Sequence, residues 1–213
     1  MQMTESTRIH RFSRAAVERA VGVLRQGGIV AFPTETYYGL AVDPFNFDAL
    51  RRLFAVKKRT THKPILIVVN SREQLSPFVR DIPPLFQILM DRFWPGPLTL
   101  VFKGIQNLPT LLTGSNHTIG ARWSSHPVAR QLAEIFGGAV TATSANLSGG
   151  KPAVTAGECC RYFGSGIDMV IDGGKTPGGR GSTLVGIEKG RLRLVRDGVI
   201  PFADIAAACR SGP

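Results

Sequence analysis

At 213 residues, 43% hydrophobic and 19% charged, the chain is long enough for one domain with a full core. It is too evenly composed for a linker or solenoid, and it contains no apolar run of membrane-spanning length. Twenty-six Lys and Arg against fifteen Asp and Glu give a net charge of +11, which points to anionic partners: nucleotide, polyphosphate or RNA. Three cysteines, Cys159, Cys160 and Cys209, fall in no metal-ligand spacing, so no structural metal is expected; with a polar stretch from Met1 to Arg14 that lacks the apolar core of a leader, they predict a cytoplasmic protein.

Ser13 is placed to cap a helix running to about Gln26, with Val17, Ala20, Val21 and Leu24 as its apolar stripe and Gly27 as its stop. Gly27-Gly28 opens a short apolar run, Ile29 to Phe32, that Pro33 halts; it reads as a buried strand ending in the hydroxyl-rich turn Thr34-Glu35-Thr36-Tyr37. Asp48 is placed to cap a second helix, with Leu50, Leu53 and Phe54 inward, that runs out into Lys57-Lys58-Arg59. Pro64 disfavours helix at Lys63, and Ile65 to Val69 reads as a strand. A third helix, Pro83 to Phe93, buries Leu85, Phe86, Leu89 and Phe93 and ends at Trp94-Pro95-Gly96-Pro97.

Strands at Leu98 to Phe102 and Thr118 to Arg122 precede a helix from Pro127 to Phe136, after which Ala139 to Ala142 leads into Thr143-Ser144-Ala145-Asn146-Leu147-Ser148-Gly149-Gly150. A helix near Thr155 to Phe163, strands at Met169 to Ile171, Ser182 to Ile187 and Leu192 to Arg196, and a helix from Ala203 to Cys209 close the chain. Helix–strand alternation that gives way to paired strands predicts an α/β fold, an open, twisted, mixed parallel/antiparallel sheet flanked by helices. One domain is expected over residues 1–213, with its core at about 13–200.

Four polar loops leave apolar runs, where chemistry commonly sits. Lys57 and Arg59 are two apart, and in extended backbone they would project to one side, with Lys58 on the other, as a pair of cations suited to a triphosphate; a basic helix end is the plainer reading. Arg122 ends its strand, where a planar guanidinium grips a carboxylate by two hydrogen bonds or makes a surface salt bridge. Ser144-Ala145-Asn146 is a turn of small hydrogen-bonding residues that lets backbone amides approach an anion, and Arg196 precedes the turn Asp197-Gly198. Gly174-Lys175-Thr176 imitates the tail of a P-loop, but Met169 stands where its first glycine belongs. His62 and His126 read as solvated or capping histidines near these loops.

Taken in order, these stretches resemble the YrdC/Sua5 family of threonylcarbamoyl-AMP synthases, in its short single-domain form without the extra C-terminal domain of longer members. Phe32-Pro33-Thr34-Glu35-Thr36-Tyr37-Tyr38-Gly39-Leu40 is similar to the family's Pro-Thr-Glu-Thr-x-Tyr-Gly-Leu signature. Lys57-Lys58-Arg59 with Lys63-Pro64, Phe93 to Thr99, Ile119 to Arg122, Ser144 to Gly149 and Gly181-Ser182-Thr183 follow in the family's order. Thr60 and Gly181 depart from it, standing where the family has proline and often glutamate.

The resemblance implies a fold with a large basic concavity and a reaction in which L-threonine, bicarbonate or CO2, and ATP give threonylcarbamoyl-AMP and pyrophosphate, with Mg2+. It further implies a product used for N6-threonylcarbamoylation of adenosine 37 in tRNA, a downstream TsaD/Kae1-type transferase with TsaB and TsaE, and a basic face available to tRNA. By position, Lys57 and Arg59 would act on the triphosphate, joined in ATP binding by Ser144, Asn146 and Arg196. Arg122 would take the threonine carboxylate, with Thr34, Lys63 and Ser182 around the amino acid. A noncatalytic RNA- or tRNA-binding or ribosome-associated module, and a paralogue with a different carbamoyl acceptor, stand as alternatives.

Overall fold

The computed structural model describes residues 8–60 and 64–210. Eleven strands and seven α-helices are assigned among them. In chain order these are β1 (Ile9–Arg11), α1 (Arg14–Arg25), β2 (Val30–Pro33), β3 (Tyr38–Ala41), α2 (Phe47–Lys57), β4 (Ile67–Val69), α3 (Pro84–Phe93), β5 (Leu98–Lys103) and α4 (Thr110–Thr113). They continue with β6 (Thr118–Trp123), α5 (Pro127–Phe136), β7 (Val140–Thr141), β8 (Thr143–Ser144), α6 (Ala156–Phe163), β9 (Met169–Asp172), β10 (Thr183–Glu188), β11 (Arg191–Arg196) and α7 (Phe202–Ala208).

The strands form two mixed sheets rather than the single one expected. One has the order β1-β9-β2-β3-β8, the other β11-β10-β5-β6-β4-β7. β7 and β8 belong to different sheets, yet Ala142 alone separates them; its N–H donates to Leu66 O at 2.7 Å as the chain steps across. β2 pairs in parallel with β9 and antiparallel with β3, so Thr34 to Tyr37 is the tip of a hairpin.

Alternate residues of β2 enter different cores, which explains why its sequence is apolar without interruption. Val30 and Phe32 pack with Val17, Val21 and Leu24 of α1 and Val128 and Leu132 of α5, while Ile29 and Ala31 join the larger cluster containing Leu50, Leu53, Phe86, Leu100 and Phe102. Each such fully buried Leu or Phe contributes about 1.5–3 kcal/mol of transfer free energy.

The caps set where helices begin relative to the loops that matter. Ser13 caps α1 by accepting from Ala16 N, and Gly27, at φ 79°, takes the left-handed turn that stops it. α2 is capped by Asn46, which accepts from Ala49 N at 3.0 Å, and not by Asp48. Asp48 sits inside the first turn, where its charge complements the helix dipole. Thr155 and Glu158 form a reciprocal capping box on α6, with Thr155 Oγ1 accepting from Glu158 N at 3.3 Å and Glu158 Oε2 accepting from Thr155 N at 3.2 Å. Thr155→Ala is expected to lower the unfolding free energy by about 1 kcal/mol in urea titration while leaving the m-value unchanged.

One close backbone approach fixes the end of β11. A Cβ on Gly198 would lie 2.4 Å from both Ser182 C and Thr183 N, so only glycine lets the Arg196-Asp197-Gly198 turn press on the Gly181-Ser182 backbone.

Candidate functional site: a cationic cavity between the two sheets

A cavity of about 320 Å³ opens where the sheets meet, within the range of small-molecule sites. The β2–β3 hairpin tip gives it Thr34, Thr36 and Tyr37; β8 gives Ser144; the α2–β4 connection gives Arg59, Pro64 and Leu66; β6 gives Arg122; Ser182, Arg196 and Asp197 come from the ends of β10 and β11. Six residues singled out on sequence, Thr34, Arg59, Arg122, Ser144, Ser182 and Arg196, therefore line one cavity, although Thr34 and Arg196 are 162 positions apart. Three of the six are guanidinium side chains.

Arg122 is 4% exposed and is held by Glu35, whose Oε1 lies 3.0 Å from Nη1, and by Thr36 Oγ1, which accepts from Nη1 at 3.3 Å. Its Nε is buried and has no hydrogen-bond partner among the described residues. A buried N–H of this kind costs free energy until something accepts from it. Arg196, open to solvent at the rim, donates from Nη2 to Ser182 O at 2.8 Å and Ser182 Oγ at 3.1 Å. Partial desolvation, and then the charge of Arg122, hold the Arg196 pKa below its ordinary value. Both cations line the same cavity, and the mutual repulsion would be relieved by anions bound there.

The hairpin tip is wired in one direction. Thr34 Oγ1 donates its only hydrogen to Tyr37 O at 2.7 Å, so the 3.1 Å contact between the Thr34 and Thr36 hydroxyls has Thr36 as donor, and Thr36 in turn accepts from Arg122. Tyr37 Oη donates to Gly179 O at 2.7 Å and Gly178 N to Thr36 O at 2.8 Å, which straps the glycine-rich segment after β9 onto the same tip. Burial, and then Asp172, push the Tyr38 phenol up, so it remains a donor and is committed to Gly174 O at 2.8 Å.

The geometry expected for Lys57 and Arg59 needs correction. Lys57 is the last residue of α2, Lys58 turns left-handed at φ 49° and points outward, and the backbone between the two cations is not extended. Arg59 lines the cavity and donates to Pro64 O at 2.9 Å. Lys57, 1% exposed, lies underneath instead: Nζ donates to Asn146 O at 2.7 Å and to Ser144 O, while Ser148 N donates to Lys57 O at 2.9 Å. Burial, and then the charge of Arg59, bring the Lys57 pKa down to about 7.

Asn146 likewise points into its own loop rather than the cavity. It donates to Leu147 O and Gly150 O, each at 2.8 Å, and accepts from Ser144 Oγ at 2.6 Å. Lys57 and Asn146 thus build the loop that presents Ser144. Ser182 Oγ lies 2.8 Å from Thr99 Oγ1, at the foot of the Arg196 contact. Lys63 and His62 lie outside the described residues. His126 is a helix cap, accepting from Val128 N at 3.2 Å. The sequence reading missed Glu35 and Thr36 as parts of the site; the available signal was a carboxylate and a second hydroxyl within a hairpin tip that otherwise looked like turn chemistry.

Among the described residues no group of three or more His, Cys, Asp or Glu is placed to hold a metal ion, and Asp197, the carboxylate on the cavity wall, is 3.2 Å from Arg180. The described residues do not make a protein cage for magnesium. No helix among the described residues is long and apolar enough to cross a membrane.

Guanidiniums gathered between two mixed sheets, with uncharged hydroxyls interleaved, define an α/β protein with a cavity suited to an anion. The Sua5/YciO/YrdC family model, described as telomere recombination, matches residues 22–198, and the chain belongs to that family. A threonylcarbamoyl-AMP synthase of Pyrococcus abyssi is 37% identical over 186 residues, 87% of this chain and 55% of that protein. One of Thiobacillus denitrificans is 41% identical over 169 residues, 79% of this chain and 89% of that protein. The chain thus spans little more than half of the first and most of the second. The solved Sua5 of P. abyssi complexed with L-threonine superposes with a TM-score of 0.88 at 35% identity, covering 94% of this chain and 59% of that one. YciO of Escherichia coli shares the fold at 23% identity, with a TM-score of 0.81 over 93% of this chain and 97% of that one.

Proposed function

We propose that the chain is a threonylcarbamoyl-AMP synthase, a nucleotidyltransferase that converts L-threonine, bicarbonate or CO2, and ATP into threonylcarbamoyl-AMP and pyrophosphate for the modification of tRNA. The observation that carries this reading is the meeting of Arg59, Arg122 and Arg196 on one cavity wall with the hydroxyls of Thr34, Ser144 and Ser182. A noncatalytic RNA-binding surface has no use for a guanidinium sunk to 4% exposure in a cavity wall and held there by an acid. Family membership and the named relatives support the same activity.

In this mechanism Arg122 takes the amino-acid carboxylate, with Thr34 and Ser182 lining the same pocket. The ammonium group loses one proton to water, the neutral amine adds to CO2 through its lone pair, and loss of a second N–H proton to water leaves the carbamate. A carbamate oxygen then attacks the α-phosphorus, the bond to the bridging oxygen breaks, and pyrophosphate leaves with its electron pair. Arg59 and Arg196 stabilise the charge that collects on the departing phosphates, and the loop of Ser144 seats the nucleotide. Positioning and electrostatics carry the rate, and no side-chain base is required at the cavity. The product would pass to a TsaD/Kae1-type transferase assisted by TsaB and TsaE.

The test is a pyrophosphate-release assay with ATP, L-threonine and bicarbonate omitted in turn. Release is expected only with all three. Release that ignores threonine, or salt-sensitive RNA binding without any turnover, would replace this reading.

A further inference from the structure

Glu35 stands behind the cavity wall, not on it. Its Oε1 lies 3.0 Å from Arg122 Nη1 with both side chains enclosed, 13% and 5% exposed respectively. The contact is ionic, since Oε1 makes no directed hydrogen bond among the described residues. Its Oε2 accepts from the Ser124 hydroxyl, and Ser124 Oγ accepts from His126 N at 3.2 Å, at the capped start of α5. The carboxylate is therefore anchored from the far side and holds the Nη1 end of Arg122, which Thr36 also engages. The edge that Glu35 and Thr36 leave over is Nε with Nη2, the side-on fork that matches a carboxylate; Nε is buried without a partner among the described residues, and Arg122 lines the cavity.

Charge adds a second consequence. Arg196 is held by the hydroxyl and carbonyl of Ser182, with no acidic side chain in those contacts, whereas Arg122 carries an acid at close range. The Arg122 end is nearly neutralised and suits a monoanion; a polyphosphate is better matched elsewhere on the wall. Resting on the synthase reading above, we propose that Glu35 is a positioning and specificity-determining residue: it turns the Arg122 fork into the cavity and reserves that end for the amino-acid carboxylate.

Glu35→Gln keeps the size and an acceptor for Ser124 while removing the charge. In steady-state pyrophosphate release, the KM for threonine is expected to rise about 10-fold, with kcat and the KM for ATP within about 2-fold of the parent. Inorganic phosphate is expected to compete against ATP alone in the parent and against threonine as well in the variant. A purely structural role would lower the active fraction, hence apparent kcat, and move neither KM. Ser124→Ala removes the far anchor and is expected to raise the threonine KM by about 3-fold, carrying the test should Glu35→Gln not fold. Unchanged threonine KM in folded variants, or equal rises for threonine and ATP, overturns the role of Glu35 and leaves the synthase reading intact. Failure of both variants to fold also overturns it, in favour of a structural role. Parent turnover that ignores threonine overturns both.

Discussion

Arg122→Lys is expected to cut kcat/KM for threonine by about 100-fold or more, the loss typical when one preorganised charged donor is removed from a reacting complex. Lysine keeps the positive charge and continues to neutralise Glu35, so the fold should survive with a small drop in thermal midpoint. What it cannot supply is two parallel N–H groups in a rigid plane, and the edge now occupied by Nε would be empty. Arg122→Met separates the effects. It leaves Glu35 as an uncompensated charge in an enclosed site, a change that costs about 3–5 kcal/mol of stability when a buried pair loses one member. A threonine titration of pyrophosphate release on both variants, beside urea unfolding, resolves the two. Turnover of Arg122→Lys within a few-fold of the parent at low threonine would remove Arg122 from the amino-acid site.

Lys57→Met should be nearly as damaging, for a different reason. Methionine matches the aliphatic stem but donates nothing, so the carbonyl of Asn146 loses its buried donor, at about 1–3 kcal/mol for an unsatisfied group, and that of Ser144 keeps the Asn146 N–H. The Ser144 loop then loses its floor, and turnover is expected to fall by about 100-fold although Lys57 does not line the cavity. Lys58→Met, at an exposed position, should change stability by less than about 0.5 kcal/mol. The pH dependence gives an independent readout. Burial sets the folded pKa of Lys57 at about 7, below its unfolded value near 10.4, so between those pH values the unfolded chain binds the extra proton and stability rises with pH. The parent should therefore gain stability relative to Lys57→Met as pH is raised from 7 to about 10. A difference that stays flat or shrinks would show that Lys57 remains charged in the fold.

Much of this architecture can be read from the chain because local signals agree with tertiary ones. α1 shows its cap, its stripe and its stop in sequence, and α5 begins and ends where Pro127 and Gly137 place it. β1 could not be read: Ile9-His10-Arg11 has no pattern of its own and becomes a strand only by pairing in parallel with β9, some 160 residues later. β3 carries a readable signal, since Thr34 to Tyr37 separates two apolar runs at hairpin spacing, but its four residues are few and Gly39 among them weakens the strand pattern. The second sheet was hidden because Ala142 changes layers without a turn signal. In the site, Arg59, Arg122, Ser144, Ser182, Arg196 and Thr34 were found as residues, whereas the inward course of Lys57 was not. Whether a cation at a helix end turns to solvent or down into the interior depends on what lies beneath it, here two carbonyls contributed by residues nearly ninety positions away.

The single-residue crossing at Ala142 has a mechanical corollary. Ser144 hangs from one layer by way of β8 and Arg122 from the other by way of β6, so whatever touches both is a clasp between the layers. Occupancy should then stiffen the seam itself. Amide exchange at Thr141, which donates to Val42 O, at Val42, which donates to Thr141 Oγ1, and at Ala142, which donates to Leu66 O, ought to slow upon loading by more than exchange in α3, which gives the cavity no residue.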